Sequence, residues 1–281
     1  YTHSDTLSLH DALPISPGVL PQPLQDVLAN LDRRGNPWGL PTRERDLWVS
    51  ALPIPILRPE AHCDLLVWVG CMGGYDERAR RAVGALAEVL RKSGVRAATL
   101  GGLERCCGDA ARRIGNEALW RELAQANIAA LNESGVQRII TLCPHCANTL
   151  ANEYPQLGGH WQVSHATSYL ADLLHQGRLA PLLDGMAARE PVQVAYHDPC
   201  YLARGMGAIA PTRELIKALP GYELVELPHH GRDTWCCGRG GGQMWLELPG
   251  QPRLGDRRVE EISAAPVAAC LTACPYCASL L

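Results

Sequence analysis

Cysteine carries the chemistry of this sequence. Cys71 is followed after 34 residues by Cys106-Cys107-Gly108, and after a further 34 by Cys143-Pro144-His145-Cys146. Cys200 is followed after 35 residues by Cys236-Cys237-Gly238, and after a further 35 by Cys274-Pro275-Tyr276-Cys277. The same pattern thus occurs twice at an offset of about 130 residues and takes up ten of the twelve cysteines. A fixed internal repeat marks duplicated structural units, and thiolates are ligands for soft metals as well as redox groups. A structural zinc site takes about four ligands, usually as two close knuckles. Each copy here offers one knuckle, one adjacent pair and one distant cysteine. Adjacent side chains diverge, so a vicinal pair fits one tetrahedral ion poorly but can reach different irons of a multinuclear cluster. Iron–sulfur ligation accounts for the whole set. A [4Fe–4S] cubane needs about four cysteines, so the fifth is spare, bridges, or holds a cluster opened from the cubic form. The rival is metal-free thiol–disulfide exchange at the CPHC and CPYC motifs, which leaves six repeated cysteines without a role.

The elements that must position these thiols repeat as well. Asp64–Gly70 reads as a buried strand ending at Cys71, and Asp76–Ser93 as a helix with Ala79, Val83, Leu86 and Leu90 on one face. Val95–Leu100 is the next expected strand, Ala110–Glu133 a long helix, and Gln137–Leu142 a strand running into CPHC. In the second copy Val192–Tyr196, Tyr222–Leu227 and Pro266–Thr272 are the strands before Cys200, the CCG loop and CPYC. Strands alternating with helices imply α/β architecture, two domains each with a small parallel sheet flanked by helices. Ligands of such sheets sit beyond the carboxyl ends of the strands, where every repeated cysteine falls. The thiols of one copy should therefore share one rim. Each CPxC also opens a helix, whose amides and dipole favour an anionic centre.

A chain of 281 residues, 47% of them hydrophobic, can build two domains with real cores. The formal net charge of −3 provides no basic field, so nucleic acid is not an expected partner. No uninterrupted apolar run approaches the ~18 residues of a membrane span. Cysteines in a chain of this size, without a cleavable leader, point to a reducing, cytoplasmic compartment. Residues 1–16 have no helix or strand period that continues past residue 16, resemble translated adapter read-through, and are set aside as non-native. Residues 17–62, proline-rich and holding the GNPWG turn, read as a linker with one short helix at Leu24–Leu31. The first domain is expected over 63–190. The second, over 191–281, stops four residues after Cys277 without the further helix that follows the first knuckle, which suggests C-terminal truncation.

Several other features have plainer readings. Cys63 and Cys270 lie outside the repeat and read as packed thiols. His197 and Asp198 read as a packed histidine and a turn-capping aspartate rather than a donor to a cluster sulfur. His145 and Tyr276, inside the knuckles, are placed to tune a centre without ligating it. Gly238–Gly242 fails both the dinucleotide and P-loop fingerprints, and its glycines are expected to let amides approach a cluster. Arg112-Arg113 and His229-His230 read as solvated.

The doubled CCG pattern resembles the cysteine-rich domain of heterodisulfide reductase catalytic subunits and their relatives, among them iron–sulfur subunits of glycolate oxidase, lactate utilisation and anaerobic glycerol-3-phosphate dehydrogenase. The resemblance covers about Leu65 to Leu281. RCCGDAARRIGNE (Arg105–Glu117), CPHCANTLANEYPQLGGH (Cys143–His160), YHDPCYLARG (Tyr196–Gly205) and WCCGRGGGQMW (Trp235–Trp245) look like the branch in which a membrane domain and a two-cluster ferredoxin domain precede the CCG pair. The resemblance implies that Cys71, Cys106, Cys107, Cys143 and Cys146 hold one [4Fe–4S] cluster, and Cys200, Cys236, Cys237, Cys274 and Cys277 a second, cubane or noncubane. Many relatives in this branch lack one cysteine of the first pair, whereas Cys106 and Cys107 are both present here. The implied function is iron–sulfur oxidoreductase, or the electron-transfer module of one, passing electrons between a flavoprotein or ferredoxin-like donor and a quinone-linked or disulfide acceptor. The implied partners are such a redox protein and a membrane subunit or preceding membrane domain, placing the chain at the cytoplasmic face.

Overall fold

Strand alternation decides which face of the first sheet carries the cysteines. In a computed structural model, which describes residues 20–57, 63–186, 190–246 and 253–281, β1 (Leu65–Trp68) is four consecutive buried apolar residues, as befits a strand covered on both faces. It pairs in parallel with β2 (Ala97–Ala98) and β3 (Arg138–Thr141), and β4 (Gln162–His165) closes the sheet in the order β2-β1-β3-β4. Leu66 and Trp68 point into the cluster that contains the cysteines, Leu24 and Leu31 of the helix Gln22–Arg34, and Leu119, Leu123 and Leu131 of the helix Glu117–Ser134. Leu65 and Val67 point the other way, onto Leu86 and Leu90 of the helix Glu77–Lys92 and Leu173 of the helix Ala166–His175.

The second half repeats this plan with three strands. β5 (Val192–His197) lies between β6 (Tyr222–Val225) and β7 (Ala269–Thr272), all parallel. Val194 and Tyr196 pack with Ile216 of the helix Ala210–Ala218. His197, on the opposite face, meets Arg258 of the helix Leu254–Ala264. The chain is therefore α/β, two cysteine-rich units each built on a small parallel sheet flanked by helices.

The differences from the sequence reading are local. The long helix expected from Ala110 is two, Asp109–Ile114 and Glu117–Ser134, because the first ends at Gly115 and Asn116 caps the second through the Leu119 amide. β4 was not expected. The helix expected at Leu24–Leu31 spans Gln22–Arg34, a second covers Thr42–Val49, and both pack on the first unit. The reading of residues 1–16 as non-native lies outside the described residues.

The halves meet by exchange. The helix of the first knuckle (Pro144–Asn148) lies on the π-helical turn Tyr201–Gly205 that follows Cys200. The helix of the second knuckle (Pro275–Ala278) lies on the helix Gly70–Tyr75 that carries Cys71. Away from this exchange, the helices Ala166–His175 and Ala210–Ala218 pack together, with His175 paired to Glu214 at 3.0 Å.

Candidate metal centre

All ten repeated cysteines follow the carboxyl ends of strands, and their side chains form one continuous line. Cys71 is within hydrogen-bonding reach of Cys106, Cys107 of Cys146, and Cys146 of Cys143. In the second half the Sγ atoms of Cys200 and Cys236 are 3.8 Å apart and those of Cys237 and Cys277 3.2 Å, with Cys274 touching Cys277. The vicinal pair behaves alike in both copies: its first member faces the distant cysteine, its second the last cysteine of the knuckle. The two lines join where Cys143 meets Cys274. Cys63 and Cys270 stand apart, half-buried.

The backbone explains the glycine of each CCG. Gly108 and Gly238 both adopt left-handed conformations, φ 87° and 68°, which a side chain would strain. In the second half the Gly238 amide donates to Cys236 Sγ at 3.3 Å. In the first, the Tyr154 hydroxyl donates to the Cys107 carbonyl at 3.1 Å, and Asn127 receives the Arg105 amide while its own amide donates to the Cys106 carbonyl and the Tyr154 oxygen. The turn into Cys71 is held by Glu104, which accepts the Val69 and Gly70 amides at 2.9 and 2.6 Å and pairs with Arg45 at 3.1 Å. Burial pushes the Glu104 carboxyl up even against these donors. Sequence patterning flagged none of Arg45, Glu104, Asn127 or Tyr154, whose partners lie far along the chain.

Each knuckle also sends a residue into the other half. The Tyr276 hydroxyl lies 3.5 Å from Cys71 Sγ. His145 stacks on Tyr201 with ring centroids 3.9 Å apart, and its Nδ1 lies 2.8 Å from Asp109 while the ring reaches Cys274. Burial works against the charged ring, yet Asp109 and Cys274 hold its pKa up to about 10. Asp198 caps the turn as expected, taking the Gly231 amide and both terminal nitrogens of Arg213, each at 2.8 Å. One reading gains a second role and another changes. Within Gly238–Gly242, the Gly238 amide reaches the Cys236 sulfur as expected, while Gly240 makes room for the His145 ring and Gly242 for Ile114, a packing role between the halves that the sequence did not signal. Arg112 and Arg113 are not solvated: both pair with Glu153, and Arg113 also with Asp109.

The donor set fits a polynuclear cationic centre. None of the twelve cysteines is in a disulfide. Neighbouring sulfurs and then burial raise Cys71, Cys106, Cys146, Cys200, Cys237 and Cys277 above the ordinary thiol range, and for Cys143 burial leads. Burial opposes ionisation of Cys274 too, but Cys143, Cys277 and His145 hold it well below that range. So many buried sulfurs ionise together only around positive charge, and a split vicinal pair suits several metal atoms rather than one. Cysteine thiolates at strand ends of a duplicated α/β unit define a class, the iron–sulfur cysteine-rich proteins.

Similarity to known proteins agrees with that class. The family model described as "CCG: Cysteine-rich domain" matches residues 65–151 and 194–281, and the chain belongs to that family. It is 36% identical over 98% of its length to "Probable iron-sulfur-binding oxidoreductase FadF" of Bacillus subtilis, covering 39% of that protein. It is 35% identical over 94% of its length to the EtfAB:quinone oxidoreductase of Syntrophomonas wolfei, covering 38%. With a subunit of the dihydromethanophenazine:CoB–CoM heterodisulfide reductase of Methanosarcina barkeri it shares 31% over 86% of its length, covering 58%. The chain thus spans about two fifths of the first two relatives and just over half of the third. No helix among the described residues is long and apolar enough to cross a membrane.

Proposed function

We propose that this chain is the electron-transfer module of an iron–sulfur oxidoreductase, with Cys71, Cys106, Cys107, Cys143 and Cys146 holding one [4Fe–4S] cluster and Cys200, Cys236, Cys237, Cys274 and Cys277 the other. The observation that carries this reading is the unbroken line of ten thiols joined at Cys143 and Cys274. Clusters bound there would supply one-electron exchange. The part of the chain itself is to keep the sulfurs dry, since eight of the ten cysteines are buried, and to hold compensating charge and donors near them. His145, paired with Asp109, sets a positive charge beside Cys274, and the Tyr276 hydroxyl is poised to donate to the Cys71 sulfur. A cleft of about 110 Å³ between the halves opens onto Cys143 and Cys274, a place from which an external group can approach both sets. The names of two relatives support a quinone-linked or a disulfide acceptor; the donor would be a flavoprotein or ferredoxin-like protein, and the module would sit at the cytoplasmic face of a membrane through a partner subunit or a preceding domain.

Anaerobic purification of the chain, with serine replacing all five cysteines of one set at a time, tests the assignment. Wild type should carry about eight irons with matching sulfide, and each variant about half. A colourless chain with titratable CPxC disulfides would instead support a metal-free dithiol oxidoreductase.

A further inference from the structure

The strand before the second cysteine set ends on a buried nitrogen that has no hydrogen-bond partner among the described residues. His197, the last residue of β5 and three residues before Cys200, is wholly buried. Its Nδ1 receives the Nε proton of Arg258 at 2.8 Å. Arg258 is also wholly buried, and its guanidinium donates to Glu261 and to the His229 carbonyl. A guanidinium nitrogen keeps its proton, so Nδ1 must be the acceptor and the neutral ring carries its proton on Nε2. That Nε2 has no hydrogen-bond partner among the described residues. The ring lies close to sulfur: Cys237 Sγ, Cys277 Sγ and a ring nitrogen of His197 are all within 4.8 Å of one another, and with Nδ1 taken up by Arg258 the Nε2–H is the donor the ring has left.

The same arrangement rules on whether the ring can be a ligand. A metal needs the Nε2 lone pair, and that lone pair exists only if the proton sits on Nδ1, which Arg258 prevents. What remains is one N–H donor on a ring that lies close to two sulfurs. The first half has a counterpart at the same place: Trp68 ends β1 three residues before Cys71, is wholly buried in the cysteine-containing core, and its indole Nε1 also has no partner among the described residues. A donor that needs an acceptor, repeated at one position of a duplicated unit, is explained by an acceptor that both units acquire on loading.

We propose that His197, locked by Arg258 in its Nε2–H form, donates to the thiolates of Cys237 and Cys277 and raises the reduction potential of the centre held by the second cysteine set. This rests on the reading that the second set holds an iron–sulfur cluster. The donor stabilises the extra negative charge of the reduced state more than the oxidised one. Reduction adds one electron from the external reductant, and the proton stays on Nε2 throughout.

The test uses the full chain, purified anaerobically, with iron and sulfide measured before a potentiometric titration followed by EPR. His197→Met removes the donor, and His197→Gln keeps both an acceptor for Arg258 and an N–H for the sulfurs. H197M should shift the one-electron equilibrium of one of the two signals about tenfold toward oxidised, a lowering of about 59 mV, and H197Q should recover most of it. Identical potentials in wild type and H197M, with equal iron and sulfide, would overturn the hydrogen bond while leaving the cluster reading intact. Wild-type protein without iron would overturn both. Should H197M lose its iron, pulsed EPR of 15N-histidine-labelled wild type decides: weak coupling together with an exchangeable proton supports donation, and strong coupling of the kind a ligand gives, or none, refutes it.

Discussion

Removing the Glu104 carboxylate should damage the first half more than any surface change, because three buried donors converge on it. Arg45 and Glu104 side chains are each 1% exposed and 3.1 Å apart, and the Val69 and Gly70 amides complete the carboxylate's bonds. In Glu104→Ala the guanidinium is left as an uncompensated buried charge, which costs about 3–5 kcal/mol, and each orphaned amide adds about 1–3 kcal/mol. These terms share one site and do not add in full, so about 4–6 kcal/mol is expected against a total stability of about 5–15 kcal/mol. With a urea slope near 3 kcal/mol/M, the unfolding midpoint should fall by about 1.3–2 M. Arg45→Met combined with Glu104→Ala leaves no buried charge and should cost less than the sum of the two single changes, giving a coupling of at least about 2 kcal/mol. The assay is urea unfolding followed by tryptophan fluorescence for wild type, both single variants and the double. An E104A stability within about 1 kcal/mol of wild type, or additive costs in the cycle, would refute the claim that this pair holds the turn into Cys71.

Other contacts make smaller, separable predictions. Tyr276→Phe removes the hydroxyl beside Cys71 and should weaken the native state by about 0.5–1.5 kcal/mol, read by thermal unfolding; a more stable variant would show that the hydroxyl is a burden there. Gly240→Ala places a methyl group against the His145 ring at a position whose backbone is not left-handed, and should cost about 1–3 kcal/mol from overpacking alone; an unchanged unfolding midpoint would show that the ring gives way. Acid should loosen the second half. Burial and then Arg258 lower His197 to about 4, so between that value and the ordinary histidine pKa near 6.5 the unfolded chain binds the extra proton. Stability therefore rises with pH across that window and is lost on acidification through it. Glu261, held below the ordinary carboxylate range by His229 and Arg258 despite partial burial, acts in the same direction at lower pH. Unfolding midpoints at pH 7 and pH 5 should differ less for His197→Gln than for wild type, and an equal or larger difference would contradict the assignment.

What the sequence revealed was periodic or local. Strand ends marked by Cys71, Cys106, Cys143 and their repeats could be found because a buried parallel strand is a short apolar run and the cysteines recur at fixed spacing. β4 escaped because three of its four residues, Gln162, Ser164 and His165, are polar, so no apolar run marks it and only pairing with β3 makes it a strand. The break at Gly115 was hidden inside a stretch with helical periodicity on both sides. Contacts between the halves, such as Tyr276 with Cys71 across 205 residues, leave no local signature. The same holds for Gly240, whose need for glycine comes from a histidine ring of the other unit. His197 was read as a packed residue, which it is. Only the position of Arg258 shows which of its nitrogens keeps a proton to donate.

The most direct test of adjacent paired centres is EPR of the anaerobically prepared, fully reduced chain, with iron and acid-labile sulfide quantified on the same sample. Two sites joined at Cys143 and Cys274 should yield about eight irons per chain and a spectrum broadened by magnetic interaction between two reduced centres, resolving to a single unbroadened signal when either cysteine set is replaced. Zinc without sulfide, or two signals that never interact, would contradict it.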